Sequence, residues 1–163
     1  MKFKKEKGVT LILLVITIII ITIIAGIAIY TGTESIKKAK FESIKTDMML
    51  IKAKAREYVE KASFEFGPNS DEEKKVNIRE KIYETEAGFE KGSISQIPEE
   101  KQNNAYKVGS EALAKMGLNN IDENEYYVAF DETNVTAEVY SKTGYNGKYS
   151  LTELDEINIE EIK

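Results

Sequence analysis

The chain has no cysteine and no histidine among its 163 residues. Without cysteine there is no disulfide and no thiolate chemistry. With both missing, most zinc sites, a Ser-His-Asp triad and a Cys-His nucleophile are excluded. Proline is scarce: Pro68 and Pro98 are the only two, so nothing of that kind interrupts the first 67 residues. Arginine is scarce as well, with Arg56 and Arg79 standing against 21 lysines. There is no GxGxxG, no P-loop and no GxSxG motif, so the usual phosphate cradles and the serine nucleophile elbow are missing. These absences predict a protein that is not an enzyme and uses no cofactor.

What is present is unevenly distributed. Residues 1–8 carry four lysines and one glutamate, residues 34–66 a net +2, and residues 67–163 a net −10, for −5 overall. An acidic C-terminal part is a poor partner for DNA, whose binding depends on phosphate neutralisation, so no nucleic-acid partner is predicted. Hydrophobic residues make up 42% of the chain but crowd toward the N-terminus.

That N-terminus is the most informative stretch. Lys2, Lys4, Lys5 and Lys7 precede Gly8, and an uncharged run then extends from Val9 to Tyr30. As a helix this run spans roughly 33 Å, about one bilayer core. Thr10, Thr17 and Thr22 are tolerable there because a threonine hydroxyl can bond back to its own helix. The preceding lysines favour a cytoplasmic N-terminus. Three readings compete. A cleaved signal peptide needs a shorter apolar core and a small-residue site at its far end, where Gly26-Ile27-Ala28 is a poor match. A plain membrane anchor needs no cleavage at all. A third reading starts from Gly8, which sits where the charge stops and the apolar run begins.

In that third reading Lys7-Gly8-Val9-Thr10-Leu11-Ile12 resembles the processing site of type IV prepilins and pseudopilins. Ala25-Gly26-Ile27-Ala28-Ile29, near the end of the run, is similar to the same family. The resemblance covers residues 4–30. It implies that a prepilin peptidase cuts after Gly8 and that Val9 becomes an N-methylated terminus. Lys7, Thr10, Leu11, Ile12 and Leu13 then serve peptidase recognition and assembly. The helix is retained, unlike a signal peptide, and packs with homologous pilin or pseudopilin subunits under an assembly platform and ATPase. Where the family usually has glutamate at the fifth position after the cut, this chain has Leu13. That carboxylate is thought to pair with the new amine during assembly, so its absence points to a minor subunit. Tyr30 stands where a kinking proline is common, and Val9 where phenylalanine is.

Beyond the membrane run, Ile36, Ile44, Met48, Ile51, Ala55, Tyr58 and Ala62 recur at helical spacing and predict one apolar stripe. Gly67-Pro68 supplies a stop. The spacing predicts one helix over about residues 9–65. A coiled coil is the competing use of the stripe, but it covers under four heptads without a regular leucine pattern. Packing against the chain's own C-terminal part is expected instead. Ser70-Asp71-Glu72-Glu73 opens a second helix with capping-box spacing, ended by Gly88. Residues 90–104 read as a loop. Ser110 starts a short helix with Leu113 and Met116 on one side, and Gly117-Leu118 reads as its end. Tyr126–Phe130 and Val135–Tyr140 alternate about a turn at Asp131–Asn134 and predict a hairpin. Gly144–Gly147 turns into a third strand over Lys148–Thr152, and Leu154, Ile157, Ile159 and Ile162 offer a last short element.

The predicted fold class is therefore α+β. A long N-terminal helix, half membrane and half amphipathic, carries a small antiparallel sheet with short helices, which is also the pilin architecture. The predicted organisation is a leader (1–8), a transmembrane or filament-core helix (9–30), its amphipathic continuation (31–66) and an acidic extracellular head (67–163). The alternative is an unprocessed, single-pass, membrane-anchored binding module.

In the head, Asp122-Glu123-Asn124-Glu125 and Asp131-Glu132 with Asn134 could offer oxygen ligands to calcium. The EF-hand spacing is absent, however, and acidic turns are usually just solvated. A paired-carboxylate hydrolase has no marked pair. Tyr126, Tyr127, Phe130, Tyr140, Tyr145 and Tyr149 could form a face for glycan or single-stranded DNA, but at strand spacing such residues more often pack the core.

Overall fold

With no proline before residue 68, α1 runs from Lys7 to Phe66. It ends where Gly67 takes a left-handed φ of 62°. The computed structural model describes residues 7–67, 70–123 and 125–162; within α1 the side chains of residues 7–12 and 27–31 lie outside that description. The chain divides into two compact units, one of residues up to Lys40 with those from Ile159 onward, the other Phe41–Asn158. The first contributes the N-terminal part of α1 and a single 3-10 turn, Ile159–Glu161.

In the second unit, α1 presents Phe41, Ile44, Met48, Ile51, Ala55, Val59, Ala62 and Phe66 as a buried stripe. The expected packing against the chain's own head is what the structure has. Two of the expected stripe residues are corrected: Ile36 is 69% exposed, and Tyr58 is only half-buried, with Val59 taking the inward position. Full burial of side chains such as Met48 and Ile51 contributes roughly 1.5–3 kcal/mol each.

After Gly67, α2 (Glu72–Arg79) begins at Asp71, whose carboxylate accepts from the Lys74 amide. The cap is thus one residue later than expected, because the Ser70 hydroxyl instead donates to the Phe66 carbonyl. The helix then widens into a π-helical turn over Glu80–Glu86, which the sequence pattern did not predict. That widening turns both Ile82 and Tyr83 fully inward. Gly88 ends the element with a φ of 74°, and a Cβ there would lie 2.8 Å from Glu111 Cγ and 3.2 Å from the Ala112 backbone.

A five-stranded antiparallel sheet follows in the order β1 (Glu90–Lys91), β2 (Ala105–Lys107), β3 (Tyr126–Asp131), β4 (Thr136–Tyr145), β5 (Lys148–Ser150). Residues 90–104 are therefore not simply a loop: they include β1 and the helical turn α3 (Glu99–Gln102). The central register sets Tyr106 beside Val128 and Val128 beside Val139. On the opposite face Ile97, Ala105, Ala129 and Tyr140 form a small second core, flanked by Ile94 and Tyr127. The stretch read as a loop is thus what covers that face.

The expected hairpin is present as β3 and β4, but Val135 belongs to its turn, with a φ of 52°. That value is unusual for a β-branched side chain. Helix α4 (Ser110–Met116) ends at left-handed Gly117, and the Leu118 amide donates to the Leu113 carbonyl at 2.8 Å, as the sequence suggested. The third strand is shorter than expected. It stops at Ser150, which caps α5 (Leu151–Asp155) through a capping box with Glu153.

Candidate processing and assembly segment

The residues singled out for processing follow one another at the start of α1. The backbone is helical from Lys7. Met1–Glu6 and the side chains of Lys7, Gly8, Val9, Thr10, Leu11 and Ile12 fall outside the described residues. Leu13 is the first described side chain, and it is 58% exposed.

From Leu13 onward the helix surface has one chemistry. Leu13, Leu14, Val15, Ile16, Ile18, Ile19, Ile20, Ile21, Ile23 and Ile24 are all exposed, none below 46%. The polar groups in the stretch are turned inward upon the helix itself. Thr17 Oγ1 donates to the Leu14 carbonyl and Thr22 Oγ1 to the Ile18 carbonyl, both at 2.8 Å. Ala25 and Gly26 complete the described run as small, exposed positions. A helix that is apolar on all sides is found buried, in a large core or in lipid. Leaving these side chains in water forgoes on the order of 10 kcal/mol of burial. Among the described residues no helix is long and apolar enough to cross a membrane; the apolar run continues on both sides into positions outside the description.

In the head, the carboxylates of Glu125, Asp131 and Glu132 are engaged internally. Asp131 accepts from the Asn134 side chain at 2.7 Å and from the Asn134 and Thr133 amides at 3.0 Å each. The Asn134 side chain, then its amide, hold that carboxyl below the usual range. Glu132 takes a bidentate pair from Arg79, at 2.9 and 3.1 Å, and a hydrogen bond from the Tyr83 hydroxyl at 3.3 Å. Glu125 accepts from Ser141 Oγ at 2.7 Å, from the Thr143 amide at 2.9 Å and from the Thr143 hydroxyl. Burial pushes Glu125 up, but the bonds from Thr143 and Ser141 outweigh it and hold the carboxyl low. Asp122 and Glu123 are exposed, and Asn124 lies outside the described residues. Among the described residues no group of three or more acidic side chains is placed to hold a metal ion.

Of the aromatic residues, Tyr126, Phe130 and Tyr140 are buried, while Tyr127, Tyr145 and Tyr149 are half-buried. Phe130 stacks on Tyr83 with ring centroids 4.0 Å apart. Burial pushes the Tyr106 and Tyr140 hydroxyls up to about 12. The cavities of the head are shallow. One of about 490 Å³ is lined by Ser63, Phe66, Lys75, Arg79 and Glu132; another of about 320 Å³ borders Lys101, Phe130 and Thr136.

One carboxylate escaped the sequence reading. Asp47, on the head-facing side of α1, accepts from the Tyr126 hydroxyl at 3.0 Å. Burial raises its pKa, the Tyr126 bond lowers it, and Asp122 nearby raises it further. The signal was a lone acid among the apolar positions Ile44, Met48 and Ile51.

No protein-family model matches the chain, and neither a curated protein nor a solved structure does.

Proposed function

We propose that this chain is a prepilin-like subunit, cleaved after Gly8, N-methylated at Val9 and assembled into a type IV pilus-like or type II secretion-like filament as a minor component. The observation that carries the reading is the all-round apolar, solvent-facing stretch Leu13–Ile24, set directly behind a lysine-rich leader that ends in Lys7-Gly8. Such a surface needs a permanent cover of lipid or of other helices, and a cut at Gly8 leaves all of it in the mature chain. Before assembly the helix sits in the cell membrane with its N-terminus inside and its acidic head outside. On assembly the lipid is exchanged for neighbouring helices, which Ala25 and Gly26 allow to approach closely. The small and internally satisfied polar sites of the head are consistent with a structural part that catalyses nothing. Leu13, in place of a carboxylate, removes the usual amine partner and supports the minor role.

The deciding experiment is mass spectrometry of the protein from the membrane fraction of cells that carry a prepilin peptidase. The expected N-terminal peptide starts at N-methylated Val9. An intact Met1 start would favour the unprocessed membrane-anchored binding module, and a start near residue 29 an ordinary signal peptide.

A further inference from the structure

We propose that Asn134 is a modification site that takes an N-linked oligosaccharide from a lipid-pyrophosphate donor. The proposal rests on the membrane reading above in needing the head outside the cell. Asn134-Val135-Thr136 has the Asn-x-Thr spacing of an N-glycosylation acceptor, with no proline in the middle. Asn134 is the only asparagine in the chain followed two residues later by serine or threonine. A transferase that reads the amide together with that hydroxyl needs both groups uncommitted to the fold.

The fold sets this triplet at the tip of the β3–β4 hairpin. Thr133 and Asn134 are exposed, and Val135 and Thr136 are half-buried. An asparagine side chain carries two N–H bonds. One of those of Asn134 goes to the Asp131 carboxylate at 2.7 Å, and the other has no partner among the described residues. Thr136 opens β4 opposite Asp131, and its hydroxyl has no partner among the described residues either. It borders the cavity of about 320 Å³ beside Phe130 and Asp131. The turn thus uses Asn134 through one N–H and leaves free the two groups that the acceptor spacing requires. The closed turn ties Asn134 to Asp131 and holds Val135 at a φ of 52°. Transfer therefore belongs to the chain before the hairpin closes, as the head emerges from the membrane. In that step the Asn134 amide nitrogen attacks the anomeric carbon of the first sugar. One C–N bond forms, the C–O bond to the lipid pyrophosphate breaks, and the amide proton passes to a base of the transferase. Nothing is oxidised or reduced. The product is a secondary amide that still has one N–H, so the side chain can keep its bond to Asp131 while the sugar points to solvent. A bulky, solubilising group would then cover the tip of the head.

The test is glycopeptide mass spectrometry of the full chain from the membrane fraction of the cells that make it. Trypsin cutting after Lys115 and Lys142 yields the peptide Met116–Lys142, which contains Asn134. The expected result is a sugar mass increment on this peptide, localised to Asn134 by electron-transfer fragmentation. It should be lost in Asn134→Gln and in Thr136→Ala, and return in Thr136→Ser. Thr136→Ala keeps the side chain that bonds Asp131, so its loss of sugar does not reflect a broken turn. In parallel, the exposed Lys91 and Lys101 of the head are labelled on intact cells with a membrane-impermeant amine reagent. A labelled head with an unmodified Met116–Lys142 peptide would overturn the glycan and leave the membrane reading standing. A sugar that survives in Asn134→Gln, carried by a serine or threonine, would equally overturn it. An unlabelled head without sugar would overturn the outward orientation, and the proposal with it.

Discussion

Two stretches of α1 dispose of their hydrocarbon in opposite ways. Between Leu13 and Ile24 apolar side chains occupy every side of the helix and all face outward. Between Phe41 and Phe66 most of them form one stripe that the head buries, and Met49, Leu50 and Phe64 alone of the large ones are left exposed. The second stretch has its partner within its own compact unit; the first is exposed on every side among the described residues. The difference lies in period. A 3.6-residue repeat lets a helix satisfy one neighbour, whereas an uninterrupted run demands a medium on all sides.

The comparison can be broken most directly by truncation in each stretch. Ile51→Ala should cost the head about 2–5 kcal/mol, since Ile51 is fully buried and such cuts leave a cavity. Ile19→Ala should leave the unfolding of the head in detergent unchanged. Urea titration of both variants checks this, and a loss of stability in Ile19→Ala would erase the distinction. A smaller effect is expected from Leu13→Glu. In a plain anchor a buried carboxylate costs up to about 3 kcal/mol, less near the helix end. In a filament core it regains an amine partner. Chemical cross-linking should therefore show multimers for wild type and variant alike, and monomers alone in both would remove the assembly reading.

Val135→Asn should raise the midpoint of thermal unfolding, by an amount equivalent to about 1 kcal/mol, because asparagine tolerates the left-handed backbone found there better than a β-branched residue. Differential scanning calorimetry checks this, and a lowered midpoint would show that the left-handed position carries no strain that asparagine relieves.

The smallest expected effect is a pair of opposite pH slopes. Asp47 has its carboxyl raised above 3.8 by burial, so its contribution is full at acid pH and is lost as pH rises through the raised value. Asp47→Asn should therefore gain stability relative to wild type as pH increases from about 4 to 7. Glu125 has its carboxyl held below 4.5 by Thr143 and Ser141 against the pull of burial. Its contribution is full at neutral pH and is lost as pH falls, so Glu125→Gln should be destabilised at neutral pH and not in acid. Both effects should stay under about 1 kcal/mol, because each group keeps contact with solvent. Denaturation at a series of pH values measures them, and parallel slopes for the two variants would contradict the assignment.

The features legible in the sequence were those written in local chemistry. The length of α1, its stop at Gly67, the end of α4 at Gly117-Leu118 and the β3–β4 hairpin all follow from period, breakers and turn residues. The features missed depend on distant partners. β1 and β2 are two and three residues long and show no alternation of their own; β2 is a strand because β3 lies beside it, and β1 because β2 does. The π-helical turn has no signature in Glu80–Glu86, and it exists because Ile82 and Tyr83 both fit inward. Ile36 has the spacing of the buried stripe, but it is exposed and burial along α1 begins at Phe41. For the candidate site, the position of Gly8 between charge and hydrocarbon was readable at once. What the structure added was the exposure of the segment behind it and the inward turn of its hydroxyls.

That inward turn has a mechanical meaning. Because Thr17 and Thr22 spend their hydroxyls on carbonyls of their own helix, the surface from Leu13 to Ile24 offers a neighbour no directional bond. Any helix packed against it would be held by the fit of side-chain ridges into grooves alone, with no hydrogen bond to fix the pairing. A neighbour displaced by a whole turn would meet the same chemistry again, so such a contact would favour adhesion over a unique register.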